Sequence, residues 1–382
     1  MIYTFYSYKG GVGRSKALAE VAHCLARRGL RVLAIDFDLE APGLEQHLFD
    51  GELPSGTLEH RGLIDLLRTY RHALTSDAAY ERGDFKRWRD FILPVKEVAG
   101  SLDGSIHLMP AGQREPEMKA EYALAVRSFD WQDFFHNWKG DLFFDWLRRQ
   151  LRDPANGFDV VLVDSRTGVT EMGGVCAYQL ADAALLLCAA NDQNLQGTVD
   201  VVRDFRSPAV GALRGNRPLE ILAIPARLEE AHIDKEAFLD RFADKLGVDA
   251  LPESLARAGL GSPREAYARL AVPYLREFAI GERLVDDRDK AIKAFEQLTD
   301  ALVLLASEDS PVFRLCDDAR ARLRGESVAE AFELEADTSR ATAGYDVFLD
   351  YGRADLQAAR ELVQALQSLG LAVFFDEAAL SP

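Results

Sequence analysis

The residues best suited to chemistry fall in three short clusters, each directly behind an apolar run. The first is Ser7 to Ser15, read S-Y-K-G-G-V-G-R-S. Gly10, Gly11 and Gly13 let the backbone turn tightly enough for successive N–H groups to face an oxyanion, and a helix opening near Arg14 adds its positive end. The second cluster is Asp36-Phe37-Asp38 and the third is Asp164-Ser-Arg-Thr-Gly168. A carboxylate at the end of a buried strand can hold Mg²⁺ through water, while a glycine N–H a few residues on can meet a terminal phosphate. Together these residue types offer phosphate chemistry assisted by a divalent cation, with Asp164 as a metal candidate and Gly168 as a γ-phosphate contact.

Elements that could position them are legible on both sides. Ile2 to Tyr6 reads as a strand, and Lys16 to Arg28 places Leu18, Val21, Ala22 and Leu25 at helical spacing. Arg31 to Ile35 then reads as a buried strand, closing a βαβ unit and bringing Asp36 and Asp38 to the carboxyl edge of a parallel sheet, where ligands bind. Either aspartate can instead cap a loop or helix. Phe158 to Asp164, Ala183 to Ala190 and Leu219 to Ile224 are further buried strands; Ile106 to Pro110 and Val272 to Arg276 are shorter ones. Helices are expected over Gly62 to Tyr70, Tyr80 to Leu93, Gln196 to Phe205 and Lys290 to Ala306. Aromatic side chains crowd Phe129 to Trp146 at mainly helical spacing, either as core or as a partner surface. Six or more strands alternating with helices give an α/β fold with a doubly wound, mostly parallel sheet.

Bulk properties narrow the classes. The 382 residues carry 45 Lys+Arg against 62 Asp+Glu, a formal charge of −17, with a pI near 4.9. General nucleic-acid binding rests on clustered Lys and Arg and is not expected of so acidic a chain. The four cysteines (Cys24, Cys176, Cys188, Cys316) are widely spaced without a C-x-x-C pair, so neither a disulfide framework nor a zinc site is expected. With an apolar strand starting at residue 2 and no apolar run of membrane-spanning length, the expectation is a cytoplasmic protein.

Against the Walker A pattern G-x-x-x-x-G-K-[ST], Tyr8 replaces the first glycine and Arg14 replaces the lysine. With Lys9 at its start, the loop instead resembles the deviant Walker A loop of ParA/MinD-type P-loop ATPases, and the run D-S-R-T-G-V-T-E is similar to that of bacterial relatives with K-G-G-V-G-R-S loops. The resemblance implies an ATP- and Mg²⁺-binding fold in which the nucleotide contacts Lys9, Gly10, Gly11, Val12, Gly13, Arg14 and Ser15. By the same resemblance Lys9 reaches a partner's phosphates in a nucleotide-dependent homodimer, and D-F-D is switch I, where Asp38 orients the attacking water. Metal ligation falls on Ser15, Asp38 and Asp164. Arg166 either meets phosphate or pairs with a switch carboxylate. Arg227, in P-A-R where relatives often carry a base-contacting asparagine, either stacks on the base or is a surface arginine. The exchange of lysine for arginine at position 14 is not neutral, and slow hydrolysis is expected; a scaffold that holds nucleotide without hydrolysing it is the alternative. Membrane attachment of the MinD kind is not expected, for want of a basic amphipathic helix at the C-terminus.

The expected domains are an ATPase over 1–310, with a long helical insertion containing one strand at 51–156, a linker over 311–343 and a second unit over 344–382. In that last unit Tyr345 to Asp350 reads as a strand, Asp355 to Leu369 as a helix and Leu371 to Phe375 as another strand. Its order and wording resemble the beginning of a flavodoxin-like TIR domain, which implies protein partners through this segment. The resemblance covers about 39 residues and stops before the helix that carries the glutamate of NAD-hydrolysing members, so no NADase residue is assigned. Two strands and a helix bury too little to fold alone; either the chain is a fragment of a longer product, or the segment packs on the ATPase or stays poorly ordered.

Overall fold

The computed structural model describes residues 1–75, 81, 83–97, 104–168, 174–229, 234–274, 283–285, 291–326, 347–348 and 373–374. The chain divides into two units, Met1–Arg324 and Gly325–Pro382.

In the first unit, strands β1 (Ile2–Tyr6), β2 (Arg31–Asp36), β3 (Leu93–Glu97), β4 (Ser105–Met109), β5 (Val160–Asp164), β6 (Ala183–Ala189), β7 (Glu220–Leu228) and β8 (Val272–Pro273) form one sheet. Its order is β3-β4-β2-β5-β1-β6-β7-β8. Every neighbouring pair is parallel except β3 with β4. Because successive residues of a strand face opposite sides, β1, β2, β4 and β5 each feed two cores. Tyr3 and Phe5 of β1, with Val32 and Ala34 of β2, join the larger core on one face. Ile2, Leu33 and Ile35 join the aromatic-rich core on the other. Full burial of such side chains removes about 1.5–3 kcal/mol of apolar exposure apiece, which is why the inner strands read as continuous apolar runs.

The doubly wound, mostly parallel α/β sheet expected from the sequence is present, and several local expectations need correction. Among its described residues, the segment 51–156 holds two strands rather than one. β3 gives no clear sequence signal because Pro94 and two charged residues interrupt its pattern; as an edge strand with a register shift between Pro94 and Lys96 it tolerates both. Of the helix expected over Tyr80 to Leu93, Glu81 is helical, Gly83 at φ 62° precedes two 3₁₀ turns, Asp84–Lys86 and Trp88–Phe91, and Leu93 already belongs to β3. The aromatic stretch forms two helices, Trp131–Asn137 and Gly140–Arg152, separated at Lys139, whose φ is 52°. Phe134, Phe143 and Phe144 are fully buried there, so these rings are core and not a partner surface.

Residues 311–324, expected to open a linker, fold onto the first unit as a 3₁₀ turn, Pro311–Leu315, and a helix, Cys316–Arg324. Ala319 and Leu323 are buried, and Arg322 grips the buried Asp300 carboxylate, which also accepts from Arg28 at 2.7 Å. The rest of the expected linker lies outside the described residues. In the second unit Val347–Phe348 pairs in parallel with Val373–Phe374; the helix expected between them also lies outside the described residues. Among the described residues, no helix is long and apolar enough to cross a membrane. All four cysteines are buried and free.

Candidate functional site

The glycine loop leaves β1 at the centre of the sheet, where β5 lies on one side and β6 on the other. It opens into helix α1 (Arg14–Arg27) through Gly13, whose φ of 86° only glycine adopts without strain; Gly11 is likewise left-handed at 72°. Among the described residues, the amide N–H groups of Gly10, Gly11, Val12 and Gly13 have no protein acceptor, although all four residues line a cavity of about 500 Å³. Unpaired loop amides at a helix N-terminus are what an anion site provides.

Register brings the acidic clusters to this loop. Asp36 and Asp164 stand side by side across β2 and β5, and Phe5 pairs with Asp164 across β1. Asp36 is fully committed to structure: it accepts from the backbone N–H of Asp38 at 3.1 Å, Gly43 at 3.1 Å and Leu44 at 3.3 Å. Burial, with Asp164 and Glu45 close by, pushes its carboxyl well above the ordinary range. Of the two roles left open by the sequence, Asp36 therefore has the capping one.

Asp38 and Asp164 share one partner. Arg14, only 7% exposed, donates through Nε to Asp164 and through Nη2 to Asp38 at 3.0 Å. Its Nη1 is buried and has no hydrogen-bond acceptor among the described residues. Burial alone would lower the Arg14 pKa, but Asp164 and Asp38 outweigh it and raise it. Asp38 is itself shifted upward by burial, against the pull of Arg14. The Ser15 hydroxyl donates to the other Asp164 oxygen at 2.5 Å.

Arg227, next to the last residue of β7, also lines the cavity and is left-handed (φ 55°), at the register shift between Ala226 and Leu228. Its Nη1 donates to the Gly11 carbonyl at 2.6 Å and its guanidinium lies 4.6 Å from the Tyr274 ring centre. With Val272, Pro273, Tyr274 and Phe295 beside it, this end of the cavity is apolar and aromatic, suited to a flat ring.

Residues 3–368 match the family described as the CobQ/CobB/MinD/ParA nucleotide binding domain, CbiA. The chain belongs to this family. No curated protein matches it. Among solved structures, the cobyrinic acid a,c-diamide synthase of Mycobacterium smegmatis with bound ATP analog and magnesium is similar at a TM-score of 0.51 and 16% identity, over 79% of this chain and 93% of its own. The MinD cell division protein of Aquifex aeolicus gives 0.44 and 17%, over 86% and 98%. The Pyrococcus furiosus cell division ATPase MinD gives 0.46 and 19%, over 80% and 99%. At 16% identity the likeness to the mycobacterial synthase speaks for the fold alone.

In this CbiA-family chain the cavity gathers Gly10, Gly11, Val12, Gly13, Arg14, Ser15, Asp38 and Arg227. Asp164 joins through Arg14 and Ser15. Two residues expected at the site stand apart from it. Lys9 is half-buried and does not line the cavity. Gly168, at φ 81°, spends its N–H on the Ser7 carbonyl at 3.2 Å while its own carbonyl accepts from Tyr6; here it braces the loop from behind. Arg166 pairs with Glu40, taking the carboxylate side of the alternative left open.

Tyr8, a mere departure from Walker A in the sequence, packs its ring against Gly197 of helix Asp192–Phe205. Phe295, which reads as a core helix position, and Thr167 also line the cavity. No local pattern marks them, because their place depends on strands far apart in sequence.

Magnesium fits this donor set in kind, since two carboxylates and a hydroxyl oxygen converge. It does not fit the arrangement, because one oxygen of each carboxylate already holds a cation of the chain's own, the Arg14 guanidinium, and the Ser15 hydroxyl is turned to Asp164.

Proposed function

We propose that this chain binds ATP in the cavity behind β1 and acts as a nucleotide-dependent dimerisation switch. The observation that carries the reading is the row of unpaired amides from Gly10 to Gly13, lining a 500 Å³ cavity beside the buried Arg14. Phosphates would rest on those amides and on the end of α1. A base would lie between Tyr274, Arg227 and the apolar wall, and the ATP analog of the mycobacterial synthase supports an adenine nucleotide as the ligand. Lys9, outside its own cavity, is free to serve the partner's phosphates.

Hydrolysis in this reading is slow, and a scaffold that binds nucleotide without turnover is the second reading. What favours the second is Arg14: Asp38, the residue assigned to the attacking water, is held by that guanidinium. The switch is read out by the TIR-like segment over 344–382, in bacterial signalling or defence; the parallel pairing of Val347–Phe348 with Val373–Phe374 supports its strand-helix-strand reading, since parallel neighbours need a crossover.

Sedimentation of wild type and Lys9→Ala with and without ATP tests the switch. ATP should convert wild type to a dimer and leave Lys9→Ala monomeric. Dimers of equal amount in both proteins would remove Lys9 from the account, and a wild type whose mass ignores ATP would remove the switch.

A further inference from the structure

We propose that the Arg14 guanidinium takes over the magnesium ion's electrostatic work in this site, so that the nucleotide binds without a divalent cation. This rests on the reading of the cavity as a nucleotide site and concerns how its phosphates are neutralised.

The geometry separates three donor groups on one side chain. Nε faces Asp164 and Nη2 faces Asp38, while Nη1 is buried without an acceptor among the described residues. A metal at this place would compete for the same two carboxylates: one oxygen of each accepts from Arg14, the second Asp164 oxygen accepts from Ser15, and the second Asp38 oxygen accepts from the Ala41 N–H at 3.4 Å. To take the oxygens that Arg14 holds, it would have to displace a guanidinium that is 7% exposed. Buried charge is costly to unpair, so the arrangement resists that exchange.

It does not resist phosphate. A guanidinium has five N–H donors in a rigid plane and can hold two carboxylates while presenting its third nitrogen to an oxyanion. An ammonium is a compact point charge that serves the carboxylates or the phosphate, but not both in fixed directions. An arginine at position 14 thus joins the two roles that a lysine and a metal ion would divide. A phosphate oxygen reaching Nη1 would also satisfy a donor that is otherwise stranded. A second guanidinium, Arg227, stands across the loop at the Gly11 carbonyl, and the loop amides and the end of α1 add partial positive charge.

The test is calorimetric or fluorescent-nucleotide titration of ATP and ADP in excess Mg²⁺ and in excess EDTA, on wild type and Arg14→Lys, with melting curves to show that the variant is folded. Wild-type affinity should change by less than about threefold between the two conditions, whereas Arg14→Lys should lose about tenfold or more in EDTA. A wild type that loses tenfold or more in EDTA overturns the proposal and leaves the nucleotide site standing. A lysine variant as indifferent to EDTA as wild type overturns the part given to the guanidinium. Absence of saturable binding under both conditions removes the nucleotide reading itself, and this inference with it.

Discussion

Replacing Gly197 with alanine probes how the loop is held, because the Tyr8 ring packs directly against this glycine. Gly197 lies inside helix Asp192–Phe205, where alanine is preferred over glycine by about 1 kcal/mol. A Cβ there would sit 2.2 Å from Cδ1 of Tyr8 and 2.4 Å from both Cε1 and Cγ. Contact with Cγ means that turning the ring cannot relieve the clash; the side chain must retreat by about 1 Å, and Tyr8 immediately precedes Lys9 and the glycines. Overpacking of this kind costs about 1–3 kcal/mol, so the net destabilisation is about 1 kcal/mol after the helix preference is credited. Urea unfolding of wild type, Gly197→Ala, Tyr8→Ala and the double variant measures it. The double variant should recover the helix preference and show a coupling of about 1 kcal/mol or more. Nucleotide affinity in Gly197→Ala should fall by about tenfold, as the displaced ring carries the loop with it. A single variant more stable than wild type by the full helix preference, with unchanged binding, would refute the packing argument.

Other expectations follow from the same contacts. Asp182→Ala, which strips Arg148, Arg152 and the Ile2 amide of their shared carboxylate, should cost about 3 kcal/mol or more in urea unfolding, since Arg148 is left largely buried without an acid partner and Arg152 keeps only the exposed Asp309; a loss below about 1 kcal/mol would contradict it. Arg166→Ala should change stability by less than about 1 kcal/mol, because its pair with Glu40 is partly exposed and screened by salt. Gly62→Ala should be far more damaging, since its Cβ would lie 2.0 Å from the backbone oxygen of Pro110, which cannot step aside; an alanine variant as stable as wild type would mean that this approach is not as close as described. Thiol labelling in native buffer should be negligible at all four cysteines and rapid in denaturant. Burial keeps them from reagent and pushes the Cys188 thiol up to about 11, so that raising the pH from 7 to 9 yields little thiolate there; fast native labelling at Cys188 would refute that.

The centre of the fold is readable from sequence because local signals coincide there: an apolar strand, three glycines and an amphipathic helix follow one another within Ile2 to Arg28. The strands β2, β5, β6 and β7 are equally plain, being buried on both faces. What sequence could not convey lies in the pairing between distant segments. That Asp36 and Asp164 sit side by side, and that one guanidinium spans Asp38 and Asp164, depends on the register of β2 against β5. The same holds for Gly168, whose N–H reads as a phosphate contact in D-S-R-T-G and is spent on Ser7 once β1 lies beside β5. Edge elements were lost for a different reason. β3 carries a proline and charges because an edge strand with one free side tolerates them, which leaves no alternating pattern to find. The helix Cys316–Arg324 reads as solvated because its buried positions are small, Ala319 and Ala321 among them, and because Arg322 is oriented by a buried Asp300 that no local pattern announces.

The account rests on nucleotide occupying the cavity, and calorimetric titration of ATP, ADP and GTP into the full chain tests that most directly. The expected result is saturable binding of ATP at one site per chain, weaker for GTP, and reduced by Arg227→Ala, which removes the side chain placed beside the base. Heats no larger than dilution for all three nucleotides would contradict the account.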